Sequence, residues 1–292
     1  MKAEFFLNQI RQEFPHLKWS KHVDSTNGWD HYVFILDDKV VFRIPKDKEY
    51  EDRLNGEIQL LSYLGKKVRV NIPVYKYVSK KKSLAGYPIV TGRVLKPSIF
   101  MRLTASEKEK IAKQISSFLS TLHTTPKSVI KKYDVEHINQ EKEYKDLVRK
   151  TKKFLFPRLR KDEIEQINEY FKQLKAALGH KYSNALTHND FSYEHILWDS
   201  TKKKIGVIDF SDRAFADPAS DFFSLCEYGQ KFLERVYALY TGKKDKHFLE
   251  RSQLYFKRIP LSLMIHGLTD KNCTFEEGYV MFKKRFKIAK IS

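Results

Sequence analysis

The order of hydrophobic patterns along the 292-residue chain predicts an α+β protein of two lobes, a small β-rich N-terminal lobe and a larger, mainly helical C-terminal lobe. Two observations carry this reading. Strand-like runs with one helix among them fill the first third. From "TASEKEKIAKQISSFLSTLHTT" onward apolar residues recur at helical spacing, broken only by short strand-like pieces around residues 185 to 209. A chain of this length can form one large domain or two lobes sharing a cleft. The natural hinge lies near Ile89 to Pro97, which divides the chain into residues 1–91 and 92–292.

The elements follow in order. "MKAEFFLNQIRQEFPHL" alternates apolar and charged residues with helical spacing and lacks the uninterrupted apolar segment of a signal peptide. "HYVFILDDKVVFRIP" is two β-rich runs joined by the polar turn "DDK", the pattern of a hairpin. In "EYEDRLNGEIQLLSYLG", Leu54, Ile58, Leu61 and Leu64 mark one helical face ahead of a glycine stop. "IPVYKYVS" and "GYPIVTGRVL" read as further strands. Thr104 and Glu107 then stand at the two positions of a capping box, opening the helical part. "KDEIEQINEYFKQLKAAL" and the last seventy or so residues continue it.

Composition narrows the function classes. Hydrophobic residues make up 41% of the chain, enough for a large core, and no run approaches the length of a membrane span. Two cysteines, Cys226 and Cys273, form neither a disulfide framework nor a metal-ligand spacing, so a cytoplasmic protein is expected. The net charge of +19 raises nucleic acid or an anionic membrane as partner. The lysines are dispersed, however, in "SKKKS", "KSVIKKY", "VRKTKKF", "TKKKIG" and "FKKRFK", at element ends and on polar helix faces. A solvated lysine-rich surface is the expectation, with no specific nucleic acid and no membrane.

The chemistry concentrates in "THNDFSYEHILWD", residues 187 to 199, and in "IGVIDF", which ends on Asp209. Two short apolar runs joined by "DSTKKK" read as a hairpin that brings Asp190, His195 and Asp209 to one end. A carboxylate that aligns an attacking hydroxyl, beside an imidazole and a second carboxylate able to hold a divalent cation, suits transfer of a phosphoryl group. Taken singly, each of these residues reads as a cap, a turn residue or a structural histidine. Together and in this order they read as a site.

"HNDFSYEHILWD" followed by "GVIDFSDRAFADPASDF" resembles the catalytic and metal-binding loops of the aminoglycoside phosphotransferase family, closest to its 2''-phosphotransferase branch. Macrolide phosphotransferases share much of the pattern. The resemblance implies a bilobal, protein-kinase-like fold and transfer of the γ-phosphoryl group of ATP or GTP, with Mg²⁺, to a hydroxyl of a small molecule. It implies Asp190 as catalytic base, His195 and Asp209 as metal ligands, His188 and Asp217 as structural support, and a monomer. "STNGWDHYVF" is similar to the loop that covers the nucleotide, with Ser25, Thr26, Asn27 and Gly28 supplying donors. Arg43 matches the phosphate-pairing cation and Glu57 its carboxylate partner, while Ile89 and Thr91 in the hinge face the purine.

On the acceptor side the candidates are Asp212, Asp221, Glu227 and Glu276, with Asp221 also expected to anchor structure alongside Asp217. Two departures stand out. Many members of the 2'' branch carry lysine where this chain has Arg43, and the covering loop has one glycine. The acids are also thin for a polycationic aminoglycoside. A macrolide or another metabolite, held by residues such as Tyr228, Phe232, Leu263 and Met264, is the alternative acceptor, and a catalytically degenerate binding protein of the same fold is the alternative to an enzyme.

Overall fold

A computed structural model describes residues 2–25, 30–80, 83–269 and 273–287. The sequence assignments to Thr26, Asn27, Gly28 and the side chain of Ser25 lie outside the described residues.

The chain opens with α1 (Lys2–Glu13), β1 (His22–Ser25), β2 (His31–Leu36) and β3 (Val40–Pro45). Asp37 and Asp38, in the turn between β2 and β3, take left-handed φ of 49° and 54°, which short polar side chains tolerate. Asp37 fixes the turn by accepting the amides of Ser20 at 3.0 Å and Lys21 at 2.8 Å. Next come α2 (Lys48–Leu64), β4 (Tyr77–Val78) and β5 (Ala85–Pro88), completing a five-stranded antiparallel sheet of order β1-β2-β3-β5-β4. Leu7 and Ile10 of α1, and Phe14 just after it, pack on Phe34, Phe42 and Ile44 of this sheet to form a small core of its own.

After β6 (Arg93–Val94) the chain is mainly helical: α3 (Pro97–Met101), α4 (Ala105–His123), α5 (Lys127–Lys132), α6 (Gln140–Lys150) and α7 (Lys161–Leu178). Short strands β7 (Ala185–Thr187), β8 (Ile196–Asp199), β9 (Lys204–Val207) and β10 (Ala214–Ala216) interrupt the helices, and α8 (Gln230–Leu239), α9 (Phe248–Thr269) and α10 (Phe275–Lys287) close the chain. The capping box at Thr104 and Glu107 is present in both directions. The fold is thus the two-lobed α+β arrangement expected from pattern.

Three local expectations change. "IPVYKYVS" keeps only Tyr77–Val78 as strand, because Asn71 instead bonds across to β9, its amide donating to the Ile205 carbonyl at 3.1 Å. "GYPIVTGRVL" divides between two sheets: β5 pairs with β3, whereas β6 pairs with β8. Gly92 lies between them with φ of 129°, where an added Cβ would stand 2.9 Å from the Trp198 carbonyl carbon. In α2 the buried face is Leu54, Glu57, Leu60, Leu61 and Leu64, and Ile58 is only partly covered. Leu60, Leu61 and Leu64 join the large core of the helical lobe, so the C-terminal half of α2 packs beneath the sheet onto that lobe.

Candidate active site

The β8–β9 hairpin and the loops that flank it bring the central residues together. Asn189 takes φ of 66° and Asp209 takes φ of 63°, each turning the chain sharply. The first turn is held by Asp221, which is fully buried and accepts the amides of His188 at 2.8 Å and Asn189 at 2.7 Å. His123 Nε2 donates to the same carboxylate at 3.0 Å, and its Nδ1 accepts from Tyr240 Oη at 2.7 Å. His188 is fully buried, and its Nε2–H donates to the Ile208 carbonyl at 3.0 Å, tying the Asp190 loop to the segment before Asp209. Burial lowers the His188 pKa, consistent with a neutral ring.

Three functional groups converge in front of this brace. His195 Nδ1–H donates to the Asp190 backbone carbonyl at 2.9 Å and lies 3.4 Å from Asp190 Oδ2. With Nδ1 donating there, Nε2 faces Asp209 Oδ2 at 3.7 Å. Burial lowers the imidazole pKa, but the Asp190 and Asp209 carboxylates outweigh it, and the net direction is upward. Burial also raises the Asp209 pKa, yet Arg43 and His195 hold it down at about 2.

From the other lobe, Arg43 on β3 reaches the same place. Its Nη1 donates to Glu57 Oε1 at 2.8 Å, while Nη2 donates to Ser211 Oγ at 2.5 Å and lies 3.6 Å from Asp209 Oδ1. Ser211 Oγ in turn donates to Asp209 Oδ1 at 2.8 Å. Glu57 is 1% exposed and also accepts from Tyr75 Oη at 2.8 Å. His31 Nδ1 accepts from Arg43 Nη2 at 3.1 Å. Burial and the adjacent guanidinium push the His31 pKa down to about 3, so the ring is neutral. Arginine suits this position because its fork serves a carboxylate on one edge and the Asp209 side on the other.

Of the two hinge residues expected to face the purine, one has its amide taken. The Ile89 amide donates to the Lys39 carbonyl at 2.7 Å, extending the sheet, and Thr91 Oγ1 donates to Asp199 Oδ2 at 2.8 Å. These groups are therefore occupied. Among the described residues the amides of Val90, Thr91 and Gly92 are hinge donors without a protein acceptor.

The four acceptor-side acids separate. Asp221 has no exposed surface and both oxygens are taken by donors, so its assignment as a substrate carboxylate is corrected to a loop anchor. Glu227 is paired with Arg285 Nη2 at 3.2 Å. The same guanidinium donates to the Phe256 carbonyl at 2.8 Å. Pro260, four residues on in α9, has no N–H to offer that carbonyl, so Arg285 replaces the missing helical donor. Glu276 is exposed on α10. Only Asp212 is both exposed and close to Asp190; its partial desolvation, then Asp190, Asp209 and Asp30, push its pKa up to about 6. Asp217 is buried, caps the turn after β10 through the Ala219 amide at 3.1 Å and pairs with Arg251 Nε at 2.6 Å. Of the apolar acceptor candidates, Tyr228, Phe232 and Met264 belong to the core of the helical lobe and Leu263 is partly covered.

Sequence reasoning missed Asp30, His31, Tyr75, Ser211, Arg213 and His123. Ser211 and Arg213 stood in plain view beside Asp209, whereas nothing in the spacing of Tyr75 or His123 marks them.

The phosphotransferase enzyme family matches residues 25–249 of the chain. The chain belongs to the phosphotransferase enzyme family. The GDP and kanamycin complex of APH(2'')-IIIa is similar at 25% identity, covering 98% of this chain and 99% of that one, with a TM-score of 0.88. The streptomycin–ATP–APH(2'')-IIa ternary complex is similar at 22% identity over 97% and 96% of the two chains, with a TM-score of 0.71. The macrolide 2'-phosphotransferase MphH from Brachybacterium faecium is similar at 18% identity over 96% and 98%, with a TM-score of 0.70. The last two share the fold. As a phosphotransferase, the chain is a kinase-like enzyme of two lobes, and no helix among the described residues is long and apolar enough to cross a membrane.

Proposed function

We propose that the phosphotransferase moves the γ-phosphoryl group of ATP or GTP to a hydroxyl of an aminoglycoside and so confers resistance, acting as a cytoplasmic monomer. Residues 1–91 hold the nucleotide and 92–292 carry the catalytic and acceptor sides. The observation that carries this reading is the convergence of Asp190, His195 and Asp209 in front of the Arg43–Glu57 pair. Support for the acceptor class comes from the similarity to APH(2'')-IIIa, which is bound to GDP and kanamycin.

Asp190 is the base that aligns and receives the acceptor proton, since its carboxylate is 40% exposed and lies 3.4 Å from His195 Nδ1, which fixes the loop through the Asp190 carbonyl. Arg43, fixed by Glu57, pairs with the phosphates, and Val90 and Thr91 offer amides to the purine. His195 Nε2, once it gives up any proton to solvent, and Asp209 Oδ2, 3.7 Å away, would hold a divalent cation completed by phosphate oxygens and water. Mg²⁺ bound there would neutralise charge on the transferring phosphoryl group.

A macrolide or another metabolite as acceptor is the second reading, favoured by the loss of Asp221 and Glu227 from the free acids. A panel of aminoglycosides and macrolides, assayed with ATP and with GTP, decides between them. Turnover with aminoglycosides and a loss on the order of a thousandfold in Asp190→Asn are expected. Stimulation by macrolides alone rejects the first reading, and a wild-type rate in Asp190→Asn rejects the base.

A further inference from the structure

Arg213 touches none of the reacting groups, yet it links the metal-side loop to the helix that carries Glu57. Its Nη2 donates to the Arg53 carbonyl of α2 at 2.7 Å. Its Nη1 donates to the Phe210 carbonyl at 3.1 Å and lies 3.6 Å from Glu57 Oε2. The side chain is buried, 9% exposed, and burial lowers its pKa against the pull of Glu57. Desolvating a guanidinium this far is costly unless partners offset it; here two carbonyls accept from Nη1 and Nη2 and the Glu57 carboxylate lies beside Nη1, while the buried Nε has no protein acceptor among the described residues.

The helix is shaped to receive it. Gly56 stands where an added Cβ would meet Arg213 Nη2 at 3.0 Å and the Tyr133 carbonyl at 3.2 Å. A glycine inside a helix costs about 1 kcal/mol relative to alanine, so its presence here calls for a packing reason, and the guanidinium supplies one. The two halves of α2 are also held differently. Leu60, Leu61 and Leu64 fasten its C-terminal half into the core of the helical lobe. The N-terminal half, up to Glu57, buries only Leu54 and Glu57.

We infer that Arg213 is a positioning residue that staples the N-terminal half of α2 to the Asp209 loop, fixing Glu57 between two guanidiniums and so aiming Arg43 at the phosphates. Glu57 Oε1 takes Arg43 and its Oε2 faces Arg213, so the carboxylate has one orientation. Arg43 Nη2 is then directed to Ser211 and Asp209, which belong to the same loop as Arg213. The staple spans 160 residues of sequence and closes a ring that runs from β3 through α2 to the metal-side loop and back to Arg43. This inference rests on the reading of Arg43 as the phosphate-pairing cation.

The test measures Mg-ATP and Mg-GTP affinity by calorimetry and the slow hydrolysis of each nucleotide without acceptor, so that it does not depend on the acceptor's identity. Arg213→Met and Gly56→Ala are each expected to weaken nucleotide affinity on the order of tenfold, the usual size of coupling between a positioning element and a site. Arg213→Lys, which reaches one carbonyl, should recover part of the loss, and Arg43→Ala should lose at least as much as Arg213→Met. Affinity is read on folded molecules, so a role confined to stability would lower the urea midpoint and leave the affinity alone. Wild-type affinity in Gly56→Ala or Arg213→Met, with affinity lost in Arg43→Ala, overturns the staple. Wild-type affinity in Arg43→Ala overturns the reading beneath it. Should Arg213→Met fail to fold, Gly56→Ala and Arg213→Lys decide.

Discussion

Asp221→Ala separates the anchor from a substrate contact. In the folded protein this carboxylate accepts from the His188 amide, the Asn189 amide and His123 Nε2, at 2.8, 2.7 and 3.0 Å, with no exposed surface. Alanine leaves three buried donors without an acceptor. At about 1–3 kcal/mol for each orphaned donor, partly relieved by relaxation, the loss of stability is about 3–5 kcal/mol. For a chain of this size that is a fall of roughly 10 °C in the thermal midpoint. The two amides also hold Asn189 at its left-handed φ of 66°, so the Asp190 carboxylate next in sequence loses its placement. Thermal and urea unfolding should show the destabilisation, and steady-state kinetics below the midpoint should show kcat falling while the acceptor KM changes little. An unchanged midpoint together with an acceptor KM raised tenfold or more would refute the anchor and restore Asp221 to the acceptor site.

Two further predictions concern charge. Arg285→Met removes the donor that serves the Phe256 carbonyl and the partner of Glu227, so unfolding in urea should show a loss of about 2–4 kcal/mol; a wild-type midpoint would mean that another donor covers both groups. Asp245 has its pKa lowered by its hydrogen bonds to Arg251, at 2.8 Å each. A carboxyl group depressed on folding adds stability above its unfolded pKa and loses it as pH falls through the lower, folded value. The advantage of the wild type over Asp245→Asn should therefore be full near neutral pH and disappear in the acid range below about pH 4. Urea midpoints of both proteins across that range check it, and a gap that stays constant with pH would contradict the linkage.

Much of the fold was legible because its elements obey one period each. The β2–β3 hairpin, α2, and α4 with its capping box all follow from local pattern and turn chemistry. The hinge was harder, because "GYPIVTGRVL" is one apolar run whose two halves bond to different sheets, and only the partners β3 and β8 decide where it divides. In the site, Asp190, His195 and Asp209 could be found together since all lie within one hairpin and its ends. The resemblance marked Asp221 as an anchor as well as an acceptor-side acid, and sequence alone could not decide between the two or separate Glu227 from Asp212. All are acids downstream of the hairpin, and what distinguishes them is a backbone amide, an arginine from α10, or solvent. Long-range donors such as Arg285, 58 residues from Glu227, leave no local trace.

Those pairings bear on the acceptor more than the net charge does. A field of +19 spread over dispersed lysines is screened within about 8 Å at physiological salt, so it governs approach weakly and binding hardly at all. At the site, burial first and then Asp190, Asp209 and Asp30 raise the Asp212 pKa, while burial and then Asp209 raise that of Asp30 against Arg43 and Arg53, so carboxylate repulsion adds to desolvation at both. A cationic group seated there would relieve that repulsion. On the proposed function, an acceptor ammonium beside the reacting hydroxyl would take that place, and further ammonium groups would find Glu227 already paired with Arg285.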